Sequence, residues 1–392
     1  MLETLTVADP DAILSLMARY REDKRPGKLD LGVGVYRDDS GVTPILQAVR
    51  EAELRHTEAQ TTKVYVGIAG DPDFNRRVAA LTLGPALQPD RTRAIQTPGG
   101  SGALRVLMDL VALAHPRATL WLSEPTWPNH PQIAAAAHLR MATYPYVDSA
   151  GDLQFEAMLA ALATAAPGDV ALIHGSCHNP TGVDPSPAQW AALAEALVAR
   201  GVVPLIDLAY QGFGDGLDPD AAGLRLIAAK APETLVAVSC SKNFGAYRDR
   251  VGAAIVVARD GAQADAALSR MGTIARTLYS MPPHHGAAVV AAILGDPELR
   301  AKWVAELDAM RLRMQFLRTG LADALRRATN SARFDRLAEG KGMFARLGLS
   351  PAQVDRLRSE QGVYMVGDSR INIAGLAEDR LDELAAHIAA AL

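Results

Sequence analysis

The sequence predicts an α/β protein with a large, mostly parallel sheet domain and a smaller, discontinuous α+β domain. Apolar, β-branched runs alternate with Ala- and Leu-rich helical stretches through the middle of the chain, the pattern of parallel α/β layers. Beyond about Pro297 this gives way to a long charged helix and short β-like pieces, the mark of a second unit. At 392 residues the chain has room for about two domains of roughly 100–200 residues each.

In chain order, residues 119–122, 170–174, 203–207, 235–239 and 252–257 read as strands, and 101–114, 187–200 and 224–230 as helices. Each strand ends in a polar or Gly-containing turn, and ligands of such sheets gather at the carboxyl ends of the strands. The charged helix spans 298–328, with β-like pieces at 343–347 and 370–374. The amino-terminal segment 29–35 can pair with them, which makes the small domain 1–43 plus 310–392, arm included, and the large domain 44–309.

Hydrophobic residues make up 49% and charged residues 21%, a composition that folds rather than staying disordered. A net charge of −4 without runs of like charge gives no attraction to nucleic acid or anionic membrane, so small molecules are the expected partners. Cys177 and Cys240 form neither a disulfide framework nor a metal-ligand spacing, and no metal is expected. The start lacks the blocks of a signal peptide, and apolar runs such as 286–294 are too short to span a bilayer, so the expected location is cytoplasmic.

Chemistry concentrates at strand ends. Lys242, just beyond a buried strand, sits where desolvation lowers an amine's pKa and frees it as a nucleophile for Schiff-base formation. Alone, a Lys in that position is an ordinary solvated residue. Here Ser239, Ser241 and Arg250 accompany it, and an Arg fork matches phosphate. Asp207 ends the run 203–207 and projects into the same crevice. A carboxylate there serves as a helix cap or a metal ligand or, beside a pyridine cofactor, keeps the ring nitrogen protonated. Opposite charges about 4 Å apart attract by roughly 4 kcal/mol at an effective dielectric near 20.

Pro98-Gly99-Gly100-Ser101-Gly102 opens a helix, and free N–H groups with the helix dipole make an anion site. It has neither the dinucleotide spacing nor the P-loop ending. Asn179-Pro180-Thr181-Gly182 reads as a turn.

Taken together these segments resemble the class I, fold type I aminotransferases, in the subgroup of aspartate and aromatic amino-acid enzymes. The resemblance covers nearly the whole chain, through Leu31-Gly32-Val33-Gly34-Val35-Tyr36, Gln96-Thr97-Pro98-Gly99-Gly100-Ser101-Gly102, Trp127-Pro128-Asn129-His130, His178-Asn179-Pro180-Thr181-Gly182, Asp207-Leu208-Ala209-Tyr210, Ser241-Lys242-Asn243-Phe244-Gly245 and Ser369-Arg370-Ile371-Asn372.

It implies pyridoxal 5′-phosphate as cofactor, held by Lys242, which also moves the substrate proton. Asp207 pairs with the pyridine nitrogen, and His130 stands behind it. Asn179 and Tyr210 bond the phenolic oxygen, and Trp127 stacks on the ring. Gly100, Ser101, Gly102, Ser239, Ser241 and Arg250 form the phosphate cup, with Tyr65 reaching in from a second subunit. Arg370 clamps the substrate α-carboxylate with Gly34 beside it, and Arg276 is lent across a homodimer to a side-chain carboxylate. The Glu124-Pro125 and Asn179-Pro180 bonds are cis by the same resemblance.

The activity implied is ping-pong transfer of an amino group from aspartate, tyrosine or phenylalanine to 2-oxoglutarate. Ser101 and Val64 stand where aspartate-specific relatives place Thr and Asn, and Arg37, Leu278 and Met281 also depart from the aspartate pattern. These departures lean towards aromatic or dual specificity, since an apolar lining gains about 25 cal/mol per Å² of ring surface buried. Strict aspartate specificity, and a β-lyase or decarboxylase on the same scaffold, remain the alternatives.

Overall fold

The computed structural model describes residues 1–7 and 12–392, so residues 8–11 of the expected amino-terminal arm lie outside the described residues. Eleven strands are present among them: β1 Leu29–Asp30, β2 Thr92–Pro98, β3 Thr119–Glu124, β4 Arg140–Pro145, β5 Val170–His174, β6 Val203–Leu208, β7 Thr234–Ser239, β8 Val251–Val257, β9 Phe344–Arg346, β10 Val363–Tyr364 and β11 Arg370–Asn372. Seven form the central sheet in the order β2-β8-β7-β6-β5-β3-β4. All its pairings are parallel except those of β8, which runs against both β2 and β7.

The strands β5 to β8 read as continuous apolar runs because helices cover both faces of the sheet. Alternate residues go to opposite sides: Ala171, Ile173, Ile206 and Val236 join one buried cluster, and Val170, Leu172, Leu205 and Ala237 the other. Helix Pro187–Arg200 starts at Ser186 with a reciprocal Ser186/Gln189 capping box and ends at left-handed Gly201, which is why its limits are sharp.

Helix Leu217–Lys230 begins seven residues before the expected 224. Pro219 lies in its first turn, where no N–H is needed, and the acidic Asp218 and Asp220 suit that end. Strands β2 and β4 were not anticipated, since polar residues such as Arg93, Gln96 and Arg140 interrupt their apolar pattern.

The charged helix extends over Pro297–Thr329, capped by the Asp296 carboxylate and closed by left-handed Asn330. Around its second half, Leu29, Leu31, Leu317, Leu321, Ile371, Leu384 and Ile388 share a separate apolar cluster. There β1 pairs in parallel with β10, and β9 antiparallel with β11. The segment 29–35 is strand only to Asp30. Beyond it the Asn372 amide donates to the carbonyls of Val33 (2.6 Å) and Val35 (2.7 Å), replacing a strand partner with a side chain. Both anticipated cis bonds, Glu124-Pro125 and Asn179-Pro180, are cis.

The long helix also supports the segment after Lys242. Buried Trp303 stacks on Phe244, with centroids 4.4 Å apart, and its Nε1 donates to the Asn243 carbonyl at 2.7 Å. Trp303→Ala should therefore cost about 3–5 kcal/mol. Trp303→Phe, which keeps the stack and leaves a buried carbonyl unpaired, should cost about 1–3 kcal/mol. Urea unfolding midpoints measure both; a Phe variant as stable as wild type would show that the hydrogen bond contributes nothing, and equal losses would show that the stack does not.

Candidate active site

The parallel register sets the site. His174 at the end of β5 lies beside Asp207 on β6, and Asp207 beside Ala237 on β7. Three strand ends therefore deliver His174, Asp207 and, two residues past Ala237, Ser239 to one rim. The loop beyond β7 carries Ser241 and Lys242. A cavity of about 170 Å³ opens there, lined among others by Gly100, Ser101, Trp127, Asn179, Asp207, Tyr210, Ser239, Ser241, Lys242 and Arg250.

One end of the cavity is built for an anion. Helix Gly99–Ala114 begins at Pro98 without a side-chain cap, leaving its first N–H groups to a ligand. Gly99 has φ +74, and a Cβ on it would lie 2.4 Å from Arg250 Nη2, so glycine is what lets the guanidinium close over the turn. Arg250 Nη1 donates to Ser241 Oγ at 3.2 Å.

The other end holds a carboxylate. Asp207 is buried, and burial pushes its pKa up. The His130 hydrogen bond, followed by the charges of His130, His174 and Lys242, outweighs that and leaves the carboxyl below its ordinary range. Its contact with His130 Nε2 is 2.9 Å.

The proton positions behind it follow from a donor that can only donate. The Asn179 N–H meets His174 Nδ1 at 3.2 Å, so a neutral His174 carries its proton on Nε2, facing Thr126 Oγ1 at 3.3 Å. Thr126 then donates to His130 Nδ1 at 2.8 Å, and His130 presents Nε2–H to Asp207. Thr126 and His174 were not singled out from the sequence. The one available signal was that His174 closes an expected strand at its carboxyl end.

Lys242 keeps some exposed surface at the cavity mouth, but its amine is packed in protein 5.1 Å from the centre of the Tyr210 ring. Desolvation lowers its pKa, Asp207 pulls it back up, and the charge of Arg250 lowers it again, for a net fall. Burial raises the Tyr210 phenol, and its oxygen lies 3.5 Å from Asn179 Nδ2.

Arg370 is buried, with Nη2 donating to the Gly32 carbonyl (2.8 Å) and Nη1 reaching Asn179 Oδ1 (3.4 Å). Its Nε has no partner among the described residues. The Phe344 ring lies 4.3 Å from the guanidinium carbon, and a Cβ on Gly34 would come within 2.8 Å of that ring.

The remaining sequence candidates lie elsewhere. Gly102 faces Pro98 in the preceding turn. Tyr65 is 83% exposed, and Arg276, also exposed, bonds Ser280 on its own helix end, so neither enters the cavity of its own chain. Cys177 and Cys240 are buried free thiols. Among the described residues no metal-binding cluster forms, and no helix is long and apolar enough to cross a membrane.

Fold and cavity together define an aminotransferase: the chain belongs to the family described as aminotransferase class I and II, whose model matches residues 26–388. The architecture is fold type I of the pyridoxal-phosphate-dependent enzymes. The chain is 50% identical over 386 residues to the aromatic-amino-acid aminotransferase of Paracoccus denitrificans, covering 98% of each. It is 45% identical over the whole of both chains to the aspartate aminotransferase of Escherichia coli K12. A crystal structure of an aromatic-amino-acid aminotransferase from Burkholderia pseudomallei, covalently bound to pyridoxal phosphate, superimposes with a TM-score of 0.97 at 41% identity, covering 100% of this chain and 99% of that one.

The buried histidines set a pH dependence. Burial, then the charge of His130, lowers His174 to about 3, and burial with the charges of His174 and His130 takes His178 well below its ordinary value of 6.5. With folded pKa values depressed, stability is complete above about 6.5 and declines as pH falls, because the unfolded chain binds protons that the native rings refuse. Each ring should cost about 2 kcal/mol at pH 5 relative to pH 7. Urea midpoints at the two pH values, with ¹⁵N spectra of the rings, test this. Titration of either ring near 6.5 in the folded protein would refute it.

Proposed function

We propose that the protein is a pyridoxal 5′-phosphate-dependent aminotransferase of aromatic or dual specificity, moving amino groups between aspartate, tyrosine or phenylalanine and 2-oxoglutarate by a ping-pong mechanism. The observation that carries this reading is the meeting, in one cavity, of a low-pKa amine, a carboxylate kept ionised, and an uncapped helix start closed by Arg250.

Those groups fit the cofactor. Gly100, Ser101, Ser239, Ser241 and Arg250 would hold its phosphate, with Gly102 shaping the turn. Asp207, backed by His130, would face the pyridine nitrogen; Trp127 would cover the ring; Asn179 and Tyr210 would bond its phenolic oxygen. When bound, the cofactor supplies an aldehyde for the amine and a ring that accepts the electron pair left at the substrate Cα.

Lys242 Nζ, freed when substrate takes its place, removes the Cα proton and returns it on the other side of the exchange. Arg370, with Gly34 close by, clamps the α-carboxylate and fixes which Cα bond is aligned for proton removal. Arg276 of a second subunit would receive a side-chain carboxylate and Tyr65 would complete the phosphate site. Their position outside the cavity of their own chain supports a homodimer with shared sites. Ser101 and Val64 favour room for a ring. The division into 1–43 with 310–392 and 44–309, and a cytoplasmic location, belong to the same proposal. The relatives named above give a lyase or decarboxylase no support.

In the test, the purified holoenzyme receives aspartate, tyrosine or phenylalanine. Its visible absorbance should fall and then return with 2-oxoglutarate, and no response to any amino acid would defeat the proposal. Lys242→Ala should keep the fold yet give no cofactor adduct that borohydride can fix, and a fixed adduct would reassign the lysine. Arg276→Ala should lower kcat/KM for aspartate by about 30-fold or more and for phenylalanine far less, as loss of a charge-assisted pair worth about 2–5 kcal/mol implies. Equal losses would displace the side-chain carboxylate site.

A further inference from the structure

Residues 340–344 lie between the two groups of site residues and touch both. At one end, Lys341 N–H donates to the Gly182 carbonyl at 2.7 Å, and its ammonium pairs with Asp215. Gly182 closes the turn that carries Asn179, and Asp215 lies in the loop that follows Tyr210. That loop is itself pinned, because the Asp220 carboxylate accepts the N–H groups of Gly212, Gly214 and Asp215 at 2.7–2.9 Å.

At the other end, Phe344 packs its ring on Arg370 and on the Gly34 backbone. Between them runs fully buried Arg318, whose guanidinium donates to the carbonyls of Lys341 (2.9 Å), Gly342 (3.0 Å) and Phe344. With three of the five carbonyls of that run bound to one planar guanidinium, a displacement at Lys341 is transmitted to Phe344.

We propose that Lys341 is a positioning residue for transamination. Its bonds to the Gly182 turn and to Asp215 hold residues 340–344 against the loops of Asn179 and Tyr210, and so set the Phe344–Arg370 pair at the distance the substrate α-carboxylate requires. This rests on Arg370 as the carboxylate clamp. The side chains of Lys341 and Asp215 are 35% and 49% exposed, so the pair itself contributes little to stability, and its value lies in registration.

The test is steady-state kinetics of the holoenzyme with aspartate and with phenylalanine. Lys341→Met should raise KM for both roughly fivefold, within the range of coupled neighbours, because the α-carboxylate is common to them, while kcat and the melting temperature change little. Asp215→Asn should reproduce the effect, the double variant should add nothing, and Lys341→Arg should restore KM. An unchanged KM, an effect on one amino acid only, additivity in the double variant, or no rescue by arginine would each overturn the assignment. Wild-type protein that converts neither amino acid would instead refute the transaminase reading, so the two failures are distinguishable.

Discussion

The site depends on one physical constraint: Asp207 has to stay charged where water has been removed. Burial alone would protonate it, and a neutral acid at that strand end would neither hold Lys242 in the cavity nor stabilise a cation opposite it. The structure meets the constraint with a directional chain of hydrogen bonds. Because the Asn179 N–H cannot accept, every later member is oriented away from it, and the last N–H points at the carboxylate. Burial keeps His174 from taking up a proton, so the carboxylate is held through the oriented N–H of His130 at the end of that chain. It is therefore still available to a cofactor.

The fold explains why such groups can be brought together at acceptable cost. β5, β6 and β7 are adjacent and parallel, so their carboxyl ends form one ledge, and the apolar residues just before each end anchor it on both faces of the sheet. Gly99 takes the left-handed conformation at the one point where Arg250 needs room.

Much of this was legible in the sequence, for identifiable reasons. Residues 170–174 and 187–200 coincide with β5 and a helix to the residue, since an apolar run closed by one polar residue and a complete capping box mark their limits. Strands β2 and β4 were not legible, because their polar residues break the period that marks a strand. The cavity-lining set around Lys242 could be assembled from the ends of strands. The Thr126–His174 link could not, because those residues are 48 apart in sequence and meet only through the register of the sheet. Tyr65 and Arg276 show the opposite case: the resemblance gives them roles, yet nothing within one chain brings them to the cavity.

Arg370 shows how binding energy is prepared during folding. Its guanidinium is buried, which lowers its pKa, and it is satisfied only by a backbone carbonyl, a long contact to Asn179 and the face of Phe344. Neither of the guanidinium's hydrogen bonds among the described residues goes to a carboxylate. A buried cation left in that state is destabilising to the protein alone, by the logic that makes removal of one partner of a buried pair cost about 3–5 kcal/mol. An arriving α-carboxylate supplies the missing partner without further desolvation of the arginine. The same deficit orients the ligand, because a planar fork whose N–H groups are only partly filled accepts a carboxylate in few ways. Stability withheld from the fold at this position thus becomes affinity and alignment for the proposed substrate, which is why an arginine with a poor set of partners is the better clamp.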